Sequence, residues 1–257
     1  MHTLFDLSGK IAVVSCCASD IGRSMAGALA EAGADIVGID KNSLADTEAS
    51  VRAYGRQFYG ISADLSNTGE IPGIMSNIIS KHGKIDILIA YANEKGSAAE
   101  PEEISWDEYL DIVDANQNAI TRLSTLAYSQ MLKQEGGKIV IVSSVLADRM
   151  ASNTLAYTVT KNAVIGLMRT LSIAGARHNI WVNAIAPGII ETSAVRGHKE
   201  IIDEINAVIE RKGLGSMKMP LGKPAHLRGA AVFLSSKASD YIVGEIFRID
   251  GGFTTRI

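Results

Sequence analysis

Nowhere in this 257-residue chain do about 18 apolar residues follow one another, the length a membrane-spanning helix needs. Its opening, MHTLFDLSGK, lacks the basic segment and apolar run of a secretory signal. A cytoplasmic protein without a membrane partner is the expectation. Cysteine is scarce too: Cys16 and Cys17 are neighbours and cannot staple a loop, so nothing argues for an oxidising compartment. They read as two small, half-buried side chains. Charge of one sign is also lacking, since 25 Lys and Arg against 28 Asp and Glu leave −3 at neutral pH. That balance gives no footprint for nucleic acid, and a small-molecule partner is expected. His178 and His226 have no neighbours at ligand spacing, so no metal site is expected. There is no internal repeat, linker or low-complexity tract.

Alternation is what the chain does have. With 47% hydrophobic residues it can bury one sizeable core, which suits a single domain over residues 1–257. Short β-branched runs alternate with segments of helical period: Ile11 to Ser15 and then about Ile21 to Ala32, Asp35 to Ile39 and Asn42 to Tyr54, Phe58 to Ala63 and Gly69 to His82. The pattern goes on with Ile85 to Ala90, a long helix from Ser105 to Gln134, Lys138 to Val142, a helix from Ala156 to Ala176, and Ile180 to Ile185. Such βαβ units predict an α/β fold: a Rossmann-like, doubly wound parallel sheet.

In such a sheet ligands bind where the strands end. Asp40 ends the second strand, 18 residues beyond Gly22, close to where a dinucleotide fold places an acid on the adenosine ribose. A carboxylate there favours NAD over NADP, though Lys41 beside it weakens the preference; the other reading is a helix cap. Asp64, after the third strand, is either a cap or an acceptor for the adenine amino group. Tyr157 and Lys161 stand four residues apart at the start of a helix, hence on one face. An ammonium nearby favours phenolate and would make Tyr157 a usable general acid/base. Ser143 and Ser144 end the preceding strand and offer a hydroxyl for a substrate oxygen.

At these residues the chain resembles the short-chain dehydrogenase/reductase family, along essentially its whole length. The resemblance implies a catalytic set of Asn116, Ser144, Tyr157 and Lys161: Ser144 orients the substrate oxygen, Tyr157 transfers its proton, Lys161 lowers the tyrosine pKa and binds the nicotinamide ribose, and Asn116 holds a relay water. In IAPGIIET it implies that Pro187 and Gly188 shape the turn under the nicotinamide, with Ile189 and Thr192 on its carboxamide. The family's first loop, TGxxxGxG, falls on SCCASDIG, which places Ser15, Asp20, Ile21 and Gly22 at the cofactor. Leu65 and Ala92 are implied as further cofactor contacts. A homotetramer is implied as well, with interfaces on the helix from Ser105 and the helix carrying Tyr157.

The cofactor half departs from the family. Cys16 and Asp20 replace two loop glycines, and Asp20 puts a carboxylate where a diphosphate should meet a helix N-terminus. NNAG becomes Ala90, Tyr91, Ala92, Asn93, with added bulk near the adenosine ribose. Three readings stay open: Asp20 caps the helix, paired with Arg23, and the site works; the scaffold does cofactor-free acid/base chemistry; or it is a non-catalytic binding protein. ADIVGID, GRQFYGISADL, EIPGIM and AVFLSSKASDYIVG are similar to sugar-acid dehydrogenases of the family, of gluconate and 2-deoxygluconate type. A substrate carboxylate would find Lys95, Arg149 or Arg196, unless these are solvated surface charges. A lid over about 190–218 is expected, with Ile201, Ile202, Ile205, Val208 and Ile209 at helical spacing from Lys199 to Lys212.

Overall fold

The computed structural model describes residues 4–97, 99–134, 136–148, 152–193, 203, 207, 210 and 221–255. Seven parallel strands form one sheet in the order β3-β2-β1-β4-β5-β6-β7: β1 (Ile11–Ser15), β2 (Asp35–Asp40), β3 (Phe58–Ser62), β4 (Ile87–Ala90), β5 (Gly137–Val142), β6 (Ile180–Pro187) and β7 (Ile246–Ile249). Each strand is short, apolar and β-branched, and those at the centre are buried on both faces, as a sheet covered by helices on each side requires. On one face α1 (Asp20–Glu31) and α7 (Arg228–Ser235) pack Met25, Leu29, Ala231 and Leu234 against Val14, Ile89 and Val142. On the other, α3 (Ile71–His82), α5 (Ala119–Lys133) and α6 (Leu155–Ala176) pack Ile78, Leu123 and Met168 against Leu88 and Ile141. Two further short helices, α2 (Ala45–Arg52) and α4 (Trp106–Val113), lie beside these.

The predicted fold stands, with local corrections. The helix expected from Ser105 to Gln134 is interrupted: α4 and α5 are joined by a π-helical turn, Asp114–Asn118, which brings Asn116 to zero exposure. Wide turns of this kind recur at functional sites because they aim a side chain that a regular helix would carry past. Asp20 is not the cap of α1. Ser19 is, accepting from the Gly22 N–H at 3.0 Å, and Asp20 follows as the first helical residue. Asp40 is no cap either, since α2 starts only at Ala45, preceded by Leu44. Among the described residues no helix is long and apolar enough to cross a membrane.

Candidate active site

The loops leaving β1, β2, β4, β5 and β6 meet at one end of the sheet. The loop after β1 turns tightly into α1, with the Ser19 N–H donating to the Cys16 carbonyl. Cys16 adopts a left-handed φ of 51°, a conformation open to glycine and strained for cysteine. Gly22 is retained for a steric reason: a Cβ there would sit 2.1 Å from the Cys16 carbonyl oxygen. Burial pushes the Cys16 and Cys17 thiols up, Cys16 to about 11, which disfavours the reactive thiolate.

Several residues expected on the cofactor have partners inside the protein. Ser15 is fully buried, its hydroxyl donating to the Tyr91 carbonyl at 2.7 Å and accepting from the Tyr91 N–H at 2.8 Å. The clip joins β1 to the residue that follows β4. Ile21 lends its side chain to the core. Asp40 accepts from the Ala18 N–H and from the Asn42 N–H, both at 2.9 Å, so it braces the first loop. Asp64 accepts from the Ser66 N–H and hydroxyl, forming a turn, and pairs with Lys41 at 3.3 Å. Burial pushes its carboxyl up, but these partners outweigh it and hold it below the usual range. Leu65 is half-buried beside it.

The catalytic candidates converge. Lys161 is wholly buried on α6 and donates through Nζ to the carbonyls of Ala92 at 2.6 Å and Val142 at 3.2 Å. Its Nζ also lies 5.4 Å from the Tyr157 ring centroid and 5.7 Å from that of Tyr91. The Tyr157 hydroxyl donates to Asn93 Oδ1 at 3.1 Å, and the Ser144 side chain lies close enough to favour the phenolate. Ser144 itself caps the short turn Val145–Ala147. Burial pulls Lys161 down to about 7 and pushes the Tyr157 phenol up to about 12, against the lowering effect of Ser144. Desolvation is the largest cause for both groups, raising the phenol and lowering the amine.

Asn116 is brought to this cluster, but its carboxamide holds backbone. It accepts from the Glu94 N–H at 2.9 Å and donates to the Glu94 carbonyl at 2.6 Å, which fixes the loop after β4. Pro187 ends β6, and Gly188 is needed because a Cβ would meet Asp250 Cα at 2.7 Å. Ile190 bridges to Gly222, and Ile189 and Thr192 are half-buried alongside. Lys95 is exposed on the loop after β4. Arg149 and Arg196 lie outside the described residues, as does most of the expected lid; Asp203, Ala207 and Glu210 within it are helical and exposed.

The sequence placed Asn93 near the adenosine ribose, and the structure puts its carboxamide on the Tyr157 hydroxyl. Asp20 also holds more than the expected Arg23: its Oδ1 accepts from Arg23 Nη2 at 2.7 Å, and its Oδ2 accepts from the Ser193 backbone N–H. No local pattern announces either long-range contact. Among the described residues no cluster of His, Cys, Asp and Glu is arranged to hold a metal.

A family model described as enoyl-(acyl carrier protein) reductase matches residues 17–254. The chain is 36% identical over 255 residues to the 2-dehydro-3-deoxy-D-gluconate 5-dehydrogenase of Dickeya dadantii, covering 98% of both chains. Among solved structures it is similar to a protein of Agrobacterium tumefaciens assigned as a 2-deoxy-D-gluconate 3-dehydrogenase, with bound NADP, at a TM-score of 0.89 and 29% identity over 99% of this chain and 100% of the other. Carveol dehydrogenase of Mycobacterium avium, in complex with NAD, gives a TM-score of 0.90 at 25% identity, over 97% of this chain and 99% of its own.

Proposed function

The chain belongs to the short-chain dehydrogenase/reductase family, and on that premise we propose that it is an NAD(P)-dependent oxidoreductase that interconverts a secondary alcohol and a ketone on a sugar acid. The observation that carries this is the convergence of Ser144, Tyr157 and Lys161 at the strand ends, with the tyrosine hydroxyl hydrogen-bonded and the lysine wholly buried behind it. The relatives matched over nearly the whole chain are dehydrogenases, which leaves the cofactor-free and non-catalytic readings without support.

Residues at both ends of the site are suited to a dinucleotide. Asp40 would meet the adenosine ribose and Asp64 and Leu65 the adenine; Ala92, Lys161 and the Pro187–Gly188 turn with Ile189 and Thr192 would hold the nicotinamide half. Asp40 supports NAD over NADP, because a second anion beside its buried carboxylate is repelled and Lys41 is turned to Asp64. In the middle Asp20 opposes the diphosphate. When bound, the cofactor supplies or accepts the hydride.

The chain's own residues handle the proton. A phenol held near pKa 12 keeps its proton at neutral pH, so Tyr157 is set as the acid that reduction of a ketone needs. Ser144 holds the substrate oxygen beside it, and that oxygen takes the place of Asn93 Oδ1 on the tyrosine hydroxyl. Once Lys161 is charged beside the developing phenolate, the two stabilise each other, which serves the oxidative direction.

Lys95, Arg149 and Arg196 are proposed for the substrate carboxylate, and residues 190–218 as a lid over it. The protein is proposed to work in the cytoplasm as a homotetramer, through the exposed apolar Trp106 and Leu110 on α4 and Val159 and Ile173 on α6. The test is reduction of a 2-dehydro-3-deoxy sugar acid with NADH and NADPH, by wild type and Tyr157→Phe. Turnover is expected to vanish in the variant, with its thermal melt retained. Full activity in Tyr157→Phe would overturn the mechanism.

A further inference from the structure

We propose that Asp20 is a built-in competitor for the cofactor diphosphate, strapping the two walls of the cleft together so that a dinucleotide binds only by displacing it; the inference rests on the dinucleotide reading above. The strap is visible in the topology. Asp20 belongs to the loop and helix after β1, and Ser193 to the segment after β6. Strands β4 and β5 lie between β1 and β6 in the sheet. Three strand spacings of roughly 4.8 Å separate the two walls, about 14 Å in all. The hydrogen bond from the Ser193 N–H to Asp20 Oδ2 therefore passes over the ends of β4 and β5, where Ala92, Asn93 and Ser144 gather above Tyr157 and Lys161.

The strap is anchored. Asp20 Oδ1 is held at 2.7 Å by Arg23, whose other guanidinium nitrogen reaches Asp46 on α2 at 3.0 Å. The Asp20 side chain is only 11% exposed, so its charge is poorly screened. It stands at the first position of α1, where outward N–H groups and the helix dipole attract an anion. The family's glycine has no side chain for this position. Here the protein supplies a carboxylate in the place a diphosphate would take, and two anions cannot share it without repulsion. Displacing Asp20 breaks its bond to Ser193, so opening the cleft and binding the diphosphate are one event.

The test is calorimetric titration of the full-length protein with NADH, ADP-ribose and adenosine, for wild type, Asp20→Gly and Asp20→Asn. Asp20→Gly is expected to bind NADH and ADP-ribose tighter by about tenfold or more, with adenosine, which carries no phosphate, unchanged. Asp20→Asn, which loses the charge and keeps an acceptor for Ser193, should fall between and serves as the second variant should the glycine loosen the fold. Wild-type and Asp20→Gly affinities that are equal, or a weaker Asp20→Gly, would overturn the strap and leave the dinucleotide reading intact. Binding of neither NADH nor NADPH by any of the three would overturn that reading, and the strap with it.

Discussion

A lysine amine with no exposure, held by two backbone carbonyls between two tyrosine rings, is costly to charge. Its pKa falls from 10.5 to about 7 on folding, so between those values the unfolded chain binds more protons than the folded one. Stability gained from that difference rises with pH across the window and is absent below it. Thermal melts from pH 7 to pH 10 should thus show wild type gaining on Lys161→Met as pH increases. Parallel curves for the two proteins would show that Lys161 is already charged in the fold. The site residues themselves were readable in the sequence, because Tyr157, Lys161 and Ser144 lie close along the chain. Which of them are already occupied was not. The partners of Asp40, Tyr157 and Asp20 lie 22, 64 and 173 residues away, and no local pattern encodes a bond of that span.

Among elements, the turn from β1 into α1 shows how a glycine loop survives loss of its glycines. Cys16 accepts the left-handed conformation, Ser19 caps the helix, and Asp40 reaches across from β2 to hold the Ala18 N–H. Only at Gly22, against the Cys16 carbonyl, is there no room for a side chain. Gly22→Ala is therefore expected to destabilise the protein by about 1–3 kcal/mol in denaturant unfolding, as overpacking does. An unchanged midpoint would mean that the loop relaxes freely. The alternation of strands and helices was legible because fully buried strands are continuous β-branched runs and the helices carry period 3.6. The π turn at Asp114–Asn118 was not, since DANQN fits a regular helix equally well by composition and only tertiary packing widens it. The cap was misread because Ser19 and Asp20 are adjacent and both are capping types; the backbone of Ser19, extended at φ −67° and ψ 156°, decides between them.

On the scale of the whole molecule, apolar side chains remain uncovered on two adjoining helices. Trp106, 69% exposed, stacks on Tyr109 of α4, and Ile173 of α6 is 79% exposed. Large exposed apolar groups of this kind mark association surfaces. Light scattering should give the mass of an oligomer for wild type and a smaller mass for Ile173→Glu; identical masses would remove α6 from the interface. The sheet's two unequal ends complete the picture. A contact that joins the walls of the cleft over Tyr157 also covers the place where the substrate oxygen must arrive. Under the proposed strap, substrate and dinucleotide would share one entrance, and the ligand that pushes Asp20 aside would have to come first. An obligatory order of addition, with the dinucleotide leading, would then follow from the position of a single carboxylate.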